Sequence, residues 1–174
     1  MDKYYIGIDV GAKGFITLYG KNELKFYSIS DNDFYELGDI IRSIKSEYSN
    51  IVCIMEEIHA IYNSSAKATF SFGEINGLLK GLLIANKVPY HLVPPKKWQS
   101  VIWDNKDMVV SYKDVVIRGK TIKKKEVNTK QTSINSAKRL FPEVDFRKNE
   151  RCKNIDDNKV DSLLIAEYGR RMNL

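Results

Sequence analysis

Cysteine is scarce in this chain, and long apolar runs are missing. Only Cys53 and Cys152 occur among 174 residues, so neither a disulfide framework nor a zinc-ligand spacing can be drawn. That fits a reducing compartment, and Cys53, inside an apolar run, reads as a core residue. No apolar stretch approaches the roughly 18 residues a membrane span needs. The first residues, "MDKYYIGIDV", show neither the apolar segment nor the cleavage site of a signal peptide. No internal repeat, low-complexity tract or linker interrupts the chain, so one domain over residues 1–174 and a cytoplasmic setting are expected.

What is present is ordinary globular material. At 43% hydrophobic and 29% charged, a chain of this length can bury a core without staples. Lys and Arg exceed Asp and Glu by 28 to 22, a net charge of +6. That modest excess favours an anionic partner only if it is concentrated somewhere.

Residues 4–10 read as a buried strand, "GFITLYG" as a second and "ELKFYSI" as a third. Glycine-containing turns separate them, which predicts an antiparallel meander. Phe34, Leu37, Ile40, Ile41 and Ile44 follow helical spacing, with Ser30 or Asp31 as the cap. "NIVCIME" is a strand reached through that helix, so it returns parallel to the first. A long helix over 64–87 follows, then the strand "VPYHLVPP", then "KKWQSVIW" as a short helix or loop. Residues 107–125 look like an inserted β-ribbon. Two helices close the chain, "NTKQTSINSAKRLFP", capped by Asn128 or Thr129, and "NIDDNKVDSLLIAEYGRRMNL". The fold class is α/β with a mixed sheet.

The acids fall in telling places. Asp9 ends a strand whose other residues are apolar, flanked by Gly7, Gly11 and Gly14. It is either a turn acid capping the "GAKG" backbone or a metal ligand. Glu56 and Glu57 end the strand "IVCIMEE" and point to opposite faces. Asp157 and Asp161, four apart, share a helix face. Asp156 and Asp157 also suit the positive end of the helix dipole, but Asp161 lies a turn further in among apolar residues. Carboxylates gathered in one place cannot all stay ionised without cations. An all-oxygen set suits Mg²⁺ or Mn²⁺, and two such ions can hydrolyse a phosphodiester.

Several segments resemble the RuvC family of Holliday-junction resolvases, particularly its phage-type members. "IGIDVGAKG" resembles the first-strand motif and places Asp9. "IMEEIHA", followed by "ATFSFG", resembles the Glu-x-x-aromatic pattern and places the second acid at Glu56. "VPPKKWQ" resembles the Pro-x-x-Trp element, and "DDNKVDSLLIAEYGRR" the acidic C-terminal helix, placing Asp157 and Asp161. Ser162 stands where the family often has Ala, and Asp156 where phage members often have His. The insert near 107–125 has no counterpart in the compact bacterial members.

The resemblance covers nearly the whole chain. It implies a ribonuclease H-like five-stranded sheet, three antiparallel strands first and parallel ones after, flanked by helices. Asp9, Glu56, Asp157 and Asp161 would be catalytic and would hold two Mg²⁺ or Mn²⁺ ions. The implied activity is paired, symmetric nicking of four-way and other branched DNA by a homodimer, leaving 5′-phosphate and 3′-hydroxyl ends. It also implies that the helix bearing Gly77 and Gly81 forms the dimer interface. His59 would stack near the junction centre or donate to a phosphate, and Lys13 or Lys97 would steady the transition state.

Three basic clusters supply the expected phosphate contacts. They are Lys96 and Lys97; Arg118, Lys120, Lys123, Lys124, Lys125 and Lys130; and Arg147 and Lys148 with Arg151 and Lys153. The competing readings are a non-catalytic branched-DNA binder, a ribonuclease H or transposase core, and an actin-like or sugar-kinase ATPase. The last shares the "IDVGAKG" hairpin but needs two such domains.

Overall fold

The computed structural model describes residues 2–58, 65–117 and 120–174. The first three strands, β1 (Tyr4–Asp9), β2 (Phe15–Tyr19) and β3 (Leu24–Ser28), form the expected antiparallel meander. Helix α1 (Phe34–Glu47) then carries the chain across to β4 (Ile51–Glu56), which pairs parallel with β1. Helix α2 (Ala66–Ala85) leads to β5 (Tyr90–Val93), parallel to β4, and α3 (Pro95–Ile102) follows at once. The sheet order is β3-β2-β1-β4-β5. The last two helices are α4 (Thr129–Leu140) and α5 (Asp157–Arg171). Among the described residues no helix is long and apolar enough to cross a membrane.

Strand alternation sorts the sheet into two faces. Ile6, Ile8, Cys53 and Met55 pack with Leu37, Ile41, Leu79 and Leu83 of α1 and α2. Tyr5, Val52 and Ile54 pack on the other face with Trp98, Ala137, Leu163 and Leu164 of α3, α4 and α5. Because both faces are covered, β1 and β4 read as nearly unbroken apolar runs until their terminal acids.

One helix start differs from the sequence reading, and another settles its two alternatives. Helix α1 is capped by Asp33, whose carboxylate accepts from Tyr35 N and Glu36 N while Glu36 reaches back to Asp33 N. Ser30 and Asp31, the expected caps, lie instead in a short 3₁₀ turn, Ile29–Asp31. Of the two candidate caps of α4, Asn128 is the one used, accepting from Gln131 N.

The expected ribbon is a separate two-stranded sheet, β6 (Val110–Ile117) and β7 (Lys120–Val127), so it begins and ends slightly later than 107–125. Residues 104–107 are its footing. Asp107 is buried, accepts from Ser136 Oγ at 2.8 Å and pairs with Arg139 at 2.6 Å. That pairing holds its carboxyl down at about 2. Val109 and Asn128 close the ribbon's base through a backbone hydrogen bond of 2.9 Å.

Candidate active site

Register puts the first two acids side by side. Ile8 pairs with Met55 in the parallel β1–β4 ladder, so Asp9 and Glu56 are the next residues along two adjoining strands. Both follow the alternation of Gly7 and Ile54 toward the α5 face. Glycine at position 7 lets α5 lie directly on β1. A Cβ there would run into the Ser162 carbonyl oxygen and the Ala166 backbone nitrogen. The helix is pinned by a buried bond of 2.6 Å between Thr17 Oγ1 and Ser162 Oγ. Asp161, one residue before Ser162, is thereby brought against Asp9.

The electrostatics report that convergence. The Asp9 carboxyl is raised well above the usual range, first by burial and then by Asp161, Glu56 and Asp157. Burial also pushes Asp161 up to about 7, with Glu56 and Asp157 adding to it and a hydrogen bond from Ser133 opposing. Glu56 is raised by burial and held back by Trp98, whose Nε1 donates to Glu56 Oε1 at 2.9 Å. Asp157, at the more open end, pairs with Lys130 at 2.6 Å. The structure therefore brings Asp9, Glu56, Asp157 and Asp161 into one interacting group.

Asp156 is differently employed. Its carboxylate caps α5, accepting from Asn158 N at 3.0 Å and Lys159 N at 3.3 Å. Of the adjacent pair, Asp156 is thus the helix cap and Asp157 the acid left to face the group.

The donor chemistry suits a divalent cation. The donor set is all oxygen, as Mg²⁺ and Mn²⁺ prefer. Asp161 Oδ1 is buried with no hydrogen-bond partner among the described residues, an acceptor whose burial is costly unless something binds it. As they stand, no three or more Asp, Glu, His or Cys side chains among the described residues are grouped closely enough to hold a metal ion.

The basic residues fall into three settings. Lys13 lines a groove of about 420 Å³ with Lys148, Lys153, Asp156, Asp157 and Asn158, beside the acids. Lys148 in turn pairs with Asp31 at 2.7 Å, and Arg147 with Asp145 at 2.7 Å, so part of that cluster's charge is locally matched. Lys96 and Lys97 are exposed in the first turn of α3, two and one residues before Trp98. Lys123, Lys124 and Lys125 are exposed along β7, and Lys120 begins that strand. His59 and Arg118 lie outside the described residues. Gly77 and Gly81 are on the outer side of α2, where an added Cβ would meet nothing within 4 Å. Phe70 and Ile84 are exposed on the same helix.

In the sequence, Trp98 and Trp103 read as residues that pack the fold rather than stack on bases. Trp98 is fully buried and meets Trp103 edge-on, but it also positions Glu56. The signal was its place three residues after the first helical proline, Pro95. Ser133 and Thr17 carried no such signal.

No protein-family model matches the sequence, and no curated protein does. Among solved structures, the chain is similar to T. thermophilus RuvC in complex with a Holliday junction substrate. The TM-score is 0.56 at 11% identity, covering 98% of this chain and 96% of that one. A second Thermus thermophilus RuvC structure aligns with a TM-score of 0.50 at 13% identity, over 98% of this chain and 96% of that one. The mixed five-stranded sheet with flanking helices is the ribonuclease H-like fold of RuvC, shared over nearly the full length of both chains.

Proposed function

We propose that this chain is a metal-dependent, structure-specific endodeoxyribonuclease that resolves four-way DNA junctions. The observation that carries the reading is the convergence of Asp9, Glu56, Asp157 and Asp161, with an orphaned Asp161 oxygen, on a fold shared with a junction-bound resolvase. The phage-type assignment rests on the "ATFSFG" and "VPPKKWQ" segments, and the proposed setting is a bacterial cytoplasm.

Asp9, Glu56, Asp157 and Asp161 would hold two Mg²⁺ or Mn²⁺ ions. Bound there, they would supply the Lewis acidity that activates water and offsets charge on a departing 3′ oxygen, the chemistry that gives 5′-phosphate and 3′-hydroxyl ends. Trp98 fixes the Glu56 carboxylate in its orientation and favours its ionised form. Lys13 and Lys153, lining the groove beside Asp157, guide the strand's phosphates toward the acids. Lys96 and Lys97 do the same from the start of α3.

The ribbon is the second grip. Residues 110–127 hold Lys113, Arg118, Lys120, Lys123, Lys124 and Lys125 against Asp114 and Glu126, so they carry +4 of the chain's +6. Eight-residue strands reach about 26 Å, enough to follow a duplex arm. A two-stranded ribbon also fits a major groove. A homodimer packed through the Gly77 and Gly81 side of α2 would present two sites to two symmetric strands.

The test is cleavage of a synthetic four-way junction in Mg²⁺, beside matched duplex and the Asp9→Asn variant. Paired symmetric nicks on the junction, absent with duplex and with the variant, are expected. Tight junction binding without a cut in either Mg²⁺ or Mn²⁺ would leave the non-catalytic binder as the function.

A further inference from the structure

One cation already touches the acid group. Lys130 lies in the first turn of α4, just after its cap Asn128 and the end of the ribbon at Val127. Its Nζ crosses to Asp157 Oδ2 at 2.6 Å, while 73% of its side chain stays exposed. Lys130 is thus a long stem held mainly by charge. Its charge reaches further than that contact, acting on Asp161 and Asp156 as well. Asp157 keeps 30% of its side chain exposed, so an arriving ion can meet this oxygen from solvent. The orphaned Asp161 Oδ1 one helical turn away shows that the ammonium does not complete the site.

We propose that Lys130 is the resident counter-cation of this site, occupying at Asp157 the position that a divalent ion takes, and that it swings away when the ion binds. Lysine suits this exchange. Its ammonium is a strongly hydrated point charge on a flexible stem, whereas an arginine fork would clamp the carboxylate at two points. Lys130 lowers the repulsion among the acids in the metal-free chain, and it competes with the metal for the same oxygen. Because α4 continues from the ribbon, the same residue stands where the proposed DNA grip meets the proposed chemistry. The inference rests on the nuclease reading only in requiring that these acids take a divalent ion.

The test is Mn²⁺ binding in the absence of DNA, by calorimetry and by the loss of the free-ion paramagnetic resonance signal. Wild type, Lys130→Met and Asp161→Asn would be compared. Removing an exposed pairing charge frees Asp157, so Lys130→Met is expected to bind Mn²⁺ about fivefold more tightly. Its melting temperature in chelator should fall below the wild type's and recover with Mn²⁺. Unchanged or weaker Mn²⁺ binding by folded Lys130→Met, with binding lost in Asp161→Asn, would overturn the counter-cation role and leave the nuclease reading standing. Binding that survives Asp161→Asn undiminished would place the ion elsewhere and overturn both.

Discussion

Replacing Asp161 by Asn should make the metal-free protein more stable at neutral pH, although the residue sits at the heart of the acid group. Burial and its acidic neighbours raise the Asp161 carboxyl from 3.8 to about 7. Below pH ~4 both the folded and the unfolded chain hold this proton, and the group makes no difference. Between pH ~4 and ~7 the folded chain keeps a proton that the unfolded chain has released. Stability then falls as pH rises, by about 1.4 kcal/mol per unit. Above pH ~7 the full penalty of about 4 kcal/mol is present. Asparagine keeps the shape and removes the ionisation, and it also relieves Asp9, which Asp161 pushes upward. The expected gain is about 2–4 kcal/mol at pH 7.5 and almost nothing at pH 4. For a chain this size a urea slope of about 2 kcal/mol per molar turns that gain into a midpoint shift of about 1–2 M. Urea unfolding with chelator at pH 4.5, 6 and 7.5 measures it. Adding Mn²⁺ should reverse the order, stabilising the wild type and not the variant. A variant that is less stable at pH 7.5 in chelator, or a difference that ignores pH, would refute the argument that these acids strain one another.

Four further outcomes test the parts that assemble the site and one glycine that does not. Gly7→Ala drives a Cβ into backbone atoms of Ser162 and Ala166, which cannot rotate away, so it should cost about 3 kcal/mol in urea unfolding. Gly77→Ala, on the open side of α2, should instead gain about 1 kcal/mol. Ser162→Ala strands buried Thr17 Oγ1 and should cost about 1–2 kcal/mol. Adding Thr17→Val should recover most of it in a double-mutant cycle, because both partners of the 2.6 Å bond are then gone. Trp98→Phe removes a donor that favours ionised Glu56, so the acid limb of the pH profile for junction cleavage should move to higher pH. An unmoved limb would show that Glu56 ionisation does not govern the step.

The acids were legible because their cost is local. An Asp closing an apolar strand, and two Asp one helical turn apart beside Val160 and Leu164, look wrong for a core before any contact is known. The meander and the parallel return of β4 were legible from turn glycines and the helix between them. The cap of α1 was misread because a 3₁₀ turn takes up Ser30 and Asp31, so the helix starts later, capped by Asp33. Trp98 and Glu56 are 42 residues apart in sequence, and their bond depends on β5 delivering α3 at the edge of β4. Gly7 is the sharper case. In sequence it stands with Gly11 and Gly14 as one of the glycines flanking Asp9, yet in the fold it is the flat ground on which α5 rests. Gly77 and Gly81 look like packing glycines in sequence and face open space. Sequence shows that a residue has no side chain, but only the fold shows whether anything uses the room. Here the room at Gly7 is what brings Asp161 to Asp9. The two strained acids thus depend on a residue that contributes no functional group at all.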